Sequence, residues 1–441
     1  MFVVVVACIG GFFAWRLCCK QDRPNVIVFL LDTLRADHLG VYGYERETTP
    51  SLDQFAKENI MFKYAVTAAP WTPPSVASLL TGMYVSSHGL MPPSSRDEAS
   101  KAEVKLSAKA ITLQQILKKD GYSTAAVSSN PWISKDFGFD VGFGSFVYIP
   151  RSPAEKVNAA AFKVLDELKE NGTPFFLYLH YLDPHDPYTP PESHQKLFVE
   201  PIKIRNYSDE MQGQIRLYDQ EIRYMDDSLG KMIQHLKDIG VYDNSIIVIL
   251  GDHGEQFEEH GYTRHGNQVF NTETHVPLLM HLPHDSEAGK VIDHTVSVID
   301  IFPTILGLLH IETPTAAKLG ISLLDEESQS KRAGVMSEIS HKMNQRSFVN
   351  YEGKKLIVGG NKEGDFLPYE DPSVNIVGVY DSIADHFENV PLKDGEVLEE
   401  LQDGYRKICQ KALELKLETS QSEHKVSDDT LNQLESLGYL K

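Results

Sequence analysis

Four short apolar segments constrain the fold most strongly, and they lie at residues 25–31, which is rich in β-branched residues, and at 123–128, 175–180 and 245–250. Their length and composition indicate strands that are buried on both faces, as in a parallel sheet. Stretches of helical character come before the last three, the longest of them at 212–236. This alternation predicts an α/β fold with a mostly parallel central sheet and helices on both faces.

Changes in composition divide the chain into three predicted regions. Residues 23–324 contain the four strand candidates and form the predicted catalytic domain. From about residue 325 the chain is more polar, with short strand-like pieces and a charged helical pattern at 396–418. Residues 325–441 are therefore predicted to form a small C-terminal α+β subdomain with a terminal helix. Residues 1–22 form the third region.

The first 22 residues are almost entirely apolar up to Leu17 and hold three of the four cysteines. This run is short for a membrane span of about 20 residues and closer to the core of a signal peptide. We expect a signal or anchor segment and an exported or cell-envelope protein, periplasmic or attached to the membrane through this segment. The alternatives are a misplaced start codon and an apolar arm that packs on the body. The cysteine pattern predicts no disulfide framework.

The charge balance excludes one class of partner and favours another. The chain has 62 acidic and 42 basic residues, a net charge of -20. Such a protein repels polyanions, so nucleic acid is not expected as a partner. An acidic protein that binds a small anionic ester has to neutralise it locally, and a bound dication does so.

Residues with chemical character come directly after the predicted strands. Asp32 follows the first strand, Asn130 the second, Asp183 and His185 the third, and Asp252 with His253 the fourth. In open α/β sheets, ligands bind beyond the carboxyl ends of the strands. A single pocket is therefore expected to collect these side chains.

Thr72 lies in the segment WTPPSVASLLTG, which has the features of a helix amino terminus. Proline is tolerated in the first turn, and the helix dipole there favours negative charge. A hydroxyl at this point, beside a cation, is a candidate nucleophile. The alternative is a threonine that only caps the helix.

Asp252 and His253 lie between glycines in the segment LGDHGE. Adjacent oxygen and imidazole ligands in a tight turn suit zinc, manganese or related ions. The alternative is a buried, hydrogen-bonded structural histidine. Two further histidines, His260 and His265, follow in the segment HGYTRHG, and histidines near neutral pH supply charge, proton transfer or ligation.

Together these segments resemble the sulfatase family of the alkaline phosphatase superfamily. The resemblance rests on PNVIVFLLDTLRADHLGVYGY, WTPPSVASLLTG, HYLDPHDPYTPP, GDHGEQFEEHG and the ending LESLGYL. It implies an alkaline-phosphatase-like fold and a divalent metal ion held by Asp32, Asp252 and His253, with Thr72 completing the ligand set. The metal ion is expected to be manganese, zinc, calcium or magnesium.

The chain departs from the family pattern at several positions. Thr33 replaces a second acidic residue, and Thr72 with Val76 replaces the modified cysteine or serine and its arginine. Threonine cannot be oxidised to formylglycine, so that cofactor is not expected. Asn130 falls where sulfatases have a Lys-x-His anion grip and is predicted to bind the substrate.

The resemblance also assigns roles to the outer histidines. His185 and His265 are predicted to bind the anion or to protonate the leaving group. His260 and Asp183 are weaker candidates for support of the ligands or for a second metal ion.

The predicted function is metal-dependent hydrolysis or transfer of a phosphate ester through a covalent Thr72 intermediate, as in phosphodiesterases and phosphoglycerol or phosphoethanolamine transferases. One alternative is hydrolysis of a sulfate ester at the same threonine. The other is a catalytically inactive binding protein of the cell envelope. The sequence gives no prediction of the oligomeric state.

Overall fold

The computed structural model describes residues 23–90, 105–203, 205–340, 344–359, 375–417 and 426–437. The predicted signal or anchor segment, residues 1–22, lies outside these ranges. Within them, no helix combines the length and the apolar character that a membrane span requires.

A single eight-stranded sheet forms the centre of the protein. In chain order its strands are β1 (Asn25–Leu31), β2 (Ile60–Val66), β3 (Ser123–Ser128), β4 (Ser145–Tyr148), β5 (Phe175–Tyr181), β6 (Ser245–Gly251), β9 (His275–His281) and β10 (Val291–Ser297). Their spatial order is β10-β2-β9-β6-β1-β5-β3-β4. Only β9 runs antiparallel to its neighbours, β2 and β6, so the prediction of a mostly parallel sheet is confirmed. A two-stranded ribbon lies outside the sheet, formed by β7 (Gln256–Phe257) and β8 (Thr263–Arg264).

The α-helices of the described residues follow in chain order. They are α1 (Pro50–Glu58), α2 (Thr72–Thr81), α3 (Val85–His88), α4 (Leu113–Lys119), α5 (Ala154–Glu170), α6 (Asp209–Asp238), α7 (Asn271–Thr274), α8 (Ile301–Leu308), α9 (Glu326–Ser330), α10 (Gly395–Glu414) and α11 (Asp428–Ser436). The predicted helix at 212–236 is α6, which begins three residues earlier because Ser208 caps its amino terminus.

Helices cover both faces of the sheet because its strands are apolar on both sides. In β1, Val28 and Leu30 pack with α2 and α8, whereas the intervening Phe29 and Leu31 pack with α5 and α6. Successive side chains of a strand point to opposite faces, so β1 is buried at every position from Val26 to Leu31. This pattern explains why the strands read as unbroken apolar runs in the sequence.

A second, antiparallel sheet forms the C-terminal lobe. Its strands, in the order in which they pair, are β11 (Val335–Ser340), β12 (Asn344–Val349), β13 (Lys354–Gly359) and β14 (Ile376–Asp381). Helix α10 packs against this sheet through Leu401 and Tyr405, which belong to the same apolar cluster as Phe348. The small α+β lobe is confirmed, and the boundary at residue 325 stays a prediction.

Candidate metal and ester site

The register of two parallel strands places the acidic residues of the site side by side. Leu31 of β1 pairs with Gly251 of β6, so Asp32 and Asp252 both leave the sheet at the same edge. Ligand atoms of Asp32, Asp252 and His253 all lie within 4.8 Å of one another, and the three side chains are fully buried. The structure therefore brings the predicted metal ligands together.

Thr72 is the first residue of α2 and is fully buried. Its side chain does not cap the helix, because the cap position is Trp71 and no side-chain cap bond is formed. Thr72 Oγ1 instead lies 3.1 Å from His253 Nε2. Thr72 thus reaches the cluster of ligands from the amino end of a helix, where the dipole favours negative charge.

The hydrogen bonds of His253 define its tautomer. Its Nδ1 lies 2.9 Å from the carbonyl oxygen of Gly254, which can only accept. Nδ1 therefore carries the hydrogen and Nε2 has a lone pair, an assignment that rests on the hydrogen-bond network. That lone pair faces Thr72 and the two carboxylates, as a ligand nitrogen would.

Each carboxylate has one oxygen with two donors and one oxygen with none. Asp252 Oδ1 accepts from the backbone N–H groups of Thr33 (3.0 Å) and His253 (2.8 Å). Asp32 Oδ2 accepts from Asn130 Nδ2 (2.5 Å) and His180 Nε2 (3.1 Å). Asp32 Oδ1 and Asp252 Oδ2 are buried and have no hydrogen-bond partner among the described residues. These two bare oxygens lie 3.9 Å and 3.4 Å from His253 Nε2, respectively.

The electrostatics of the Asp32 and Asp252 carboxylates favour a bound cation. Burial and the charge of Asp32 raise the pKa of Asp252 well above its usual range. Burial alone would raise the pKa of Asp32 too, but the hydrogen bond from His180 and the nearby histidines bring it below its usual value. Two buried carboxylates with bare oxygens are costly unless a positive charge lies between them. The donor set of two oxygens, one imidazole nitrogen and one hydroxyl fits a divalent metal ion.

Thr33 supports the cluster through its backbone. Its φ of +53° turns its side chain away, and Oγ1 donates to the carbonyl oxygen of Pro184 at 2.8 Å. The Thr33 hydroxyl is thus occupied elsewhere, whereas its N–H orients Asp252.

His185 and His265 lie next to the ligand cluster, as predicted. Their ring centroids are 5.0 Å apart, and the ring of His265 lies 4.4 Å from that of His253. Glu255 Oε1 lies 3.2 Å from His265 Nδ1, and Tyr188 donates to Glu255 Oε2 at 3.1 Å. Burial raises the pKa of Glu255 to about 7. The imidazole rings of His185 and His265 can therefore hold or donate protons beside the ligand cluster.

Comparison with known proteins assigns the family. The sulfatase family profile, described as "Sulfatase", matches residues 24–311. The chain belongs to the sulfatase family. Among curated relatives, it is 26% identical over 377 residues to an arylsulfatase of Clostridium perfringens, covering 69% of this chain and 78% of that protein. It is also 26% identical over 430 residues to the multifunctional alkaline phosphatase superfamily protein PehA of Trinickia caryophylli, covering 74% and 81%.

Solved structures show the same fold. The phosphonate monoester hydrolase of Agrobacterium radiobacter superposes with a TM-score of 0.67 at 18% identity, covering 89% of this chain and 95% of that one. A protein solved in complex with its substrate, D-glucosamine-2-N,6-O-disulfate, superposes with a TM-score of 0.70 at 17% identity, covering 89% and 98%. The alkaline-phosphatase-like fold is thereby confirmed, and this sulfatase-family chain is an ester hydrolase of that superfamily.

The structure places the remaining predicted residues of this sulfatase-family chain as follows. Asn130 Oδ1 accepts from the N–H of Trp132 at 2.8 Å, which fixes the orientation of the amide toward Asp32. One N–H of Asn130 is thus used inside the protein, and binding of substrate by the other stays a prediction. Asp183 Oδ2 accepts from the N–H of Ala154 at the start of α5, and His260 stacks on Phe270 at 3.6 Å. A role of these last two in supporting the ligands or holding a second metal ion stays a prediction.

Sequence reasoning gave no specific role to His180, which hydrogen-bonds the ligand Asp32 directly, or to Tyr178, which reaches Asp32 through His180. Both lie on β5, two positions apart and therefore on one face of the sheet. The signal was available in the segment FFLYLHY, because a buried apolar strand rarely carries a histidine at its carboxyl end without a polar partner.

Proposed function

We propose that this enzyme hydrolyses a sulfate ester at a site for one divalent cation, with Thr72 as the nucleophile. The observation that carries the proposal is the position of Thr72 Oγ1, which is buried at the amino end of α2 and 3.1 Å from His253 Nε2. A hydroxyl held at such a point is suited to attack an anionic ester.

Sulfur as the central atom is supported by the relatives better than phosphorus. The family match and the arylsulfatase relative point to sulfate esters, and a structural neighbour binds a disulfated sugar as its substrate. Phosphate-ester cleavage is the second candidate because threonine replaces the residue that sulfatases convert to formylglycine. PehA and the phosphonate monoester hydrolase are the relatives that support it.

The charges around the site favour an ester with a single negative charge. Arg35, a buried arginine that follows β1, is already committed to Asp37 at 2.7 Å and Glu259 at 2.6 Å. A dication offset by Asp32 and Asp252 contributes no net charge, so the N–H groups of His185 and His265 are left to donate hydrogen bonds to the anion. Sulfate monoesters, phosphate diesters and phosphonate monoesters carry one charge, and phosphate monoesters carry two at neutral pH. Both candidate functions are compatible with a monoanionic substrate.

The chain's own residues have defined tasks in this reaction. Asp32, Asp252, His253 and Thr72 would hold the cation, which lowers the pKa of a bound hydroxyl and offsets charge on the ester. Thr72 Oγ1 loses its proton and forms a bond to sulfur while the bond from sulfur to the leaving oxygen breaks. His185 or His265 takes the proton that Thr72 releases and passes it to that oxygen. Water then attacks the sulfur, and the bond from sulfur to Thr72 Oγ1 breaks. One proton of the water returns to Thr72 Oγ1, and the other leaves with the hydrogen sulfate, which releases it to solvent.

A panel of nitrophenyl esters tests the proposal. The wild-type protein, loaded with Zn²⁺ or Mn²⁺, should hydrolyse p-nitrophenyl sulfate. Between the two phosphate esters, it should be less active on p-nitrophenyl phosphate, which is a dianion, than on bis-p-nitrophenyl phosphate, which is a monoanion. Thr72→Ala should lower kcat on the preferred ester by at least ~10³-fold, since loss of a nucleophile removes the covalent route. Mass spectrometry should find no aldehyde at position 72.

Thr81→Ala is the matched control, because Thr81 ends the same helix and donates to the carbonyl oxygen of Ala77 at 2.6 Å. It should keep its activity. A phosphate diester cleaved faster than the sulfate, with both activities lost in Thr72→Ala, would move the assignment to the second candidate. Equal activity of wild type and Thr72→Ala on every ester would contradict both.

A further inference from the structure

The two metal-facing carboxylates are oriented by different kinds of donor. For Asp252 both donors to the saturated oxygen are backbone N–H groups, those of Thr33 and His253. For Asp32 both donors are side chains, Asn130 and His180. The orientation of Asp32 therefore depends on residue identity, whereas that of Asp252 follows from the turn itself.

The donor direction at His180 follows from its partners. The carboxylate of Asp32 accepts only, so His180 Nε2, at 3.1 Å from Oδ2, carries the hydrogen. His180 Nδ1 then accepts from the hydroxyl of Tyr178 at 3.1 Å. The three groups form a chain from Tyr178 through His180 to Asp32, and all three side chains are buried.

The strand geometry makes this chain rigid. Tyr178 and His180 lie on the same face of β5, and His180 pairs in register with Leu30 of β1, two residues before Asp32. His180 also pairs with Ser128 of β3 on its other side, so its backbone is held between two strands. With its backbone held in this way, the His180 ring donates its Nε2 hydrogen in one direction, toward Asp32 Oδ2.

We propose that His180, fixed by Tyr178, is a positioning residue that turns Asp32 so that Oδ1 alone faces the cation. With Oδ2 occupied by His180 and Asn130, Asp32 binds through one oxygen. This inference rests on the metal site of the proposed function and concerns the affinity of that site. Partners that orient metal ligands change the affinity by about 10- to 100-fold when they are removed.

The test measures the affinity of the full-length protein for Zn²⁺ alone, by competition with a chelating dye and without any ester. His180→Leu should weaken the apparent Kd by about 10- to 100-fold. His180→Gln, which keeps a terminal N–H donor, should bind more tightly than His180→Leu. Should His180→Leu fail to fold, His180→Asn replaces it, since its shorter side chain leaves Asp32 Oδ2 without this donor.

His281→Leu is the matched control. His281 is a buried strand histidine with Nδ1 at 2.8 Å from Asn59 Oδ1 and Nε2 at 3.2 Å from the carbonyl oxygen of Tyr242. Its replacement should lower stability and leave the Zn²⁺ affinity unchanged. Wild-type affinity in His180→Leu and His180→Asn would overturn the inference and leave the proposed function standing. Failure of the wild-type protein itself to bind Zn²⁺ or Mn²⁺ would overturn both.

Discussion

Replacing Asp252 by asparagine should stabilise the metal-free protein and abolish its response to metal. In the structure Asp252 Oδ1 already accepts two backbone N–H groups, so the asparagine oxygen takes that place. The amide nitrogen then occupies the position of the bare Oδ2, on the side of the cluster that includes Asp32 Oδ1. At a pH above the raised pKa of Asp252, where both carboxylates are ionised, a repulsion between them is replaced by a contact between a donor and an acceptor.

The size of the effect follows from the distance between the ligand atoms. They lie within 4.8 Å of one another, and two unit charges at that separation repel by about 3.5 kcal/mol at an effective dielectric constant of ~20. An unfolding entropy of about 2.1 cal/mol/K per residue over 441 residues converts this energy to a rise in Tm of roughly 4 °C. At a pH where Asp252 is ionised, the metal-free variant should therefore melt about 4 °C above the metal-free wild type, and the difference should shrink at lower pH, where Asp252 is protonated.

Differential scanning fluorimetry of both proteins, with chelator and with excess Zn²⁺ at one scan rate, measures these shifts. Zn²⁺ should raise the Tm of the wild type and not that of Asp252→Asn. The control is Asp219→Asn, since Asp219 is a buried carboxylate that already pairs with His38 and Arg46, each at 2.7 Å. It should melt lower with and without metal, because it leaves partners uncompensated. A metal-free Asp252→Asn that melts below the wild type would refute the reasoning.

Two further predictions concern backbone fit and pH. Gly254→Ala should lose metal binding and about 1–3 kcal/mol of stability, because the added Cβ would lie 2.0 Å from the carbonyl oxygen of Thr272. Gly213→Ala is the control, since there is open space around Gly213, and it should keep wild-type behaviour in the same metal-binding and melting assays. Burial lowers the pKa of His88 to about 3. The stabilisation that depends on a neutral His88 is therefore fully present above pH 6.5, and the free energy of unfolding falls by about 1.4 kcal/mol per unit of pH between 6.5 and 3. His88→Asn should flatten the dependence of Tm on pH in that window, and an unchanged slope would contradict this origin.

The sequence predicted β1, β3, β5 and β6 of the central sheet because these strands are buried on both faces, and it missed β2, β4, β9 and β10. Runs such as NVIVFLL at 25–31 and SIIVIL at 245–250 are polar only at their first position, and the structure places them side by side at the centre as β1 and β6. The pair β11 and β12 was missed. Their cross-strand partners Glu338 and Arg346 form a buried ion pair at 3.0 Å, and two charged residues in a short segment read as surface.

The sequence was sufficient to predict which residues form the candidate site, but not the directions of the hydrogen bonds between them. Asp32, Asp252 and His253 stand at strand ends, and the parallel register alone brings such positions together. The role of Asn130 as a donor to Asp32 depends on Trp132, whose N–H fixes the amide, and no pattern of residue types encodes that contact. Hydrogen-bond direction is a property of the packed structure.

The two carboxylate ligands of this protein respond differently to changes in the sequence. Backbone donors fix Asp252 in any chain that makes the same turn, so its geometry follows from the fold. Side-chain donors fix Asp32, and a change at position 130 or 180 alters the charge left on the metal-facing oxygen without changing a ligand. A carboxylate with two donors on one oxygen is a weaker electron donor through the other, because hydrogen bonds draw charge away from it. The preference for one cation over another in this protein is therefore expected to depend on residues that do not contact the cation.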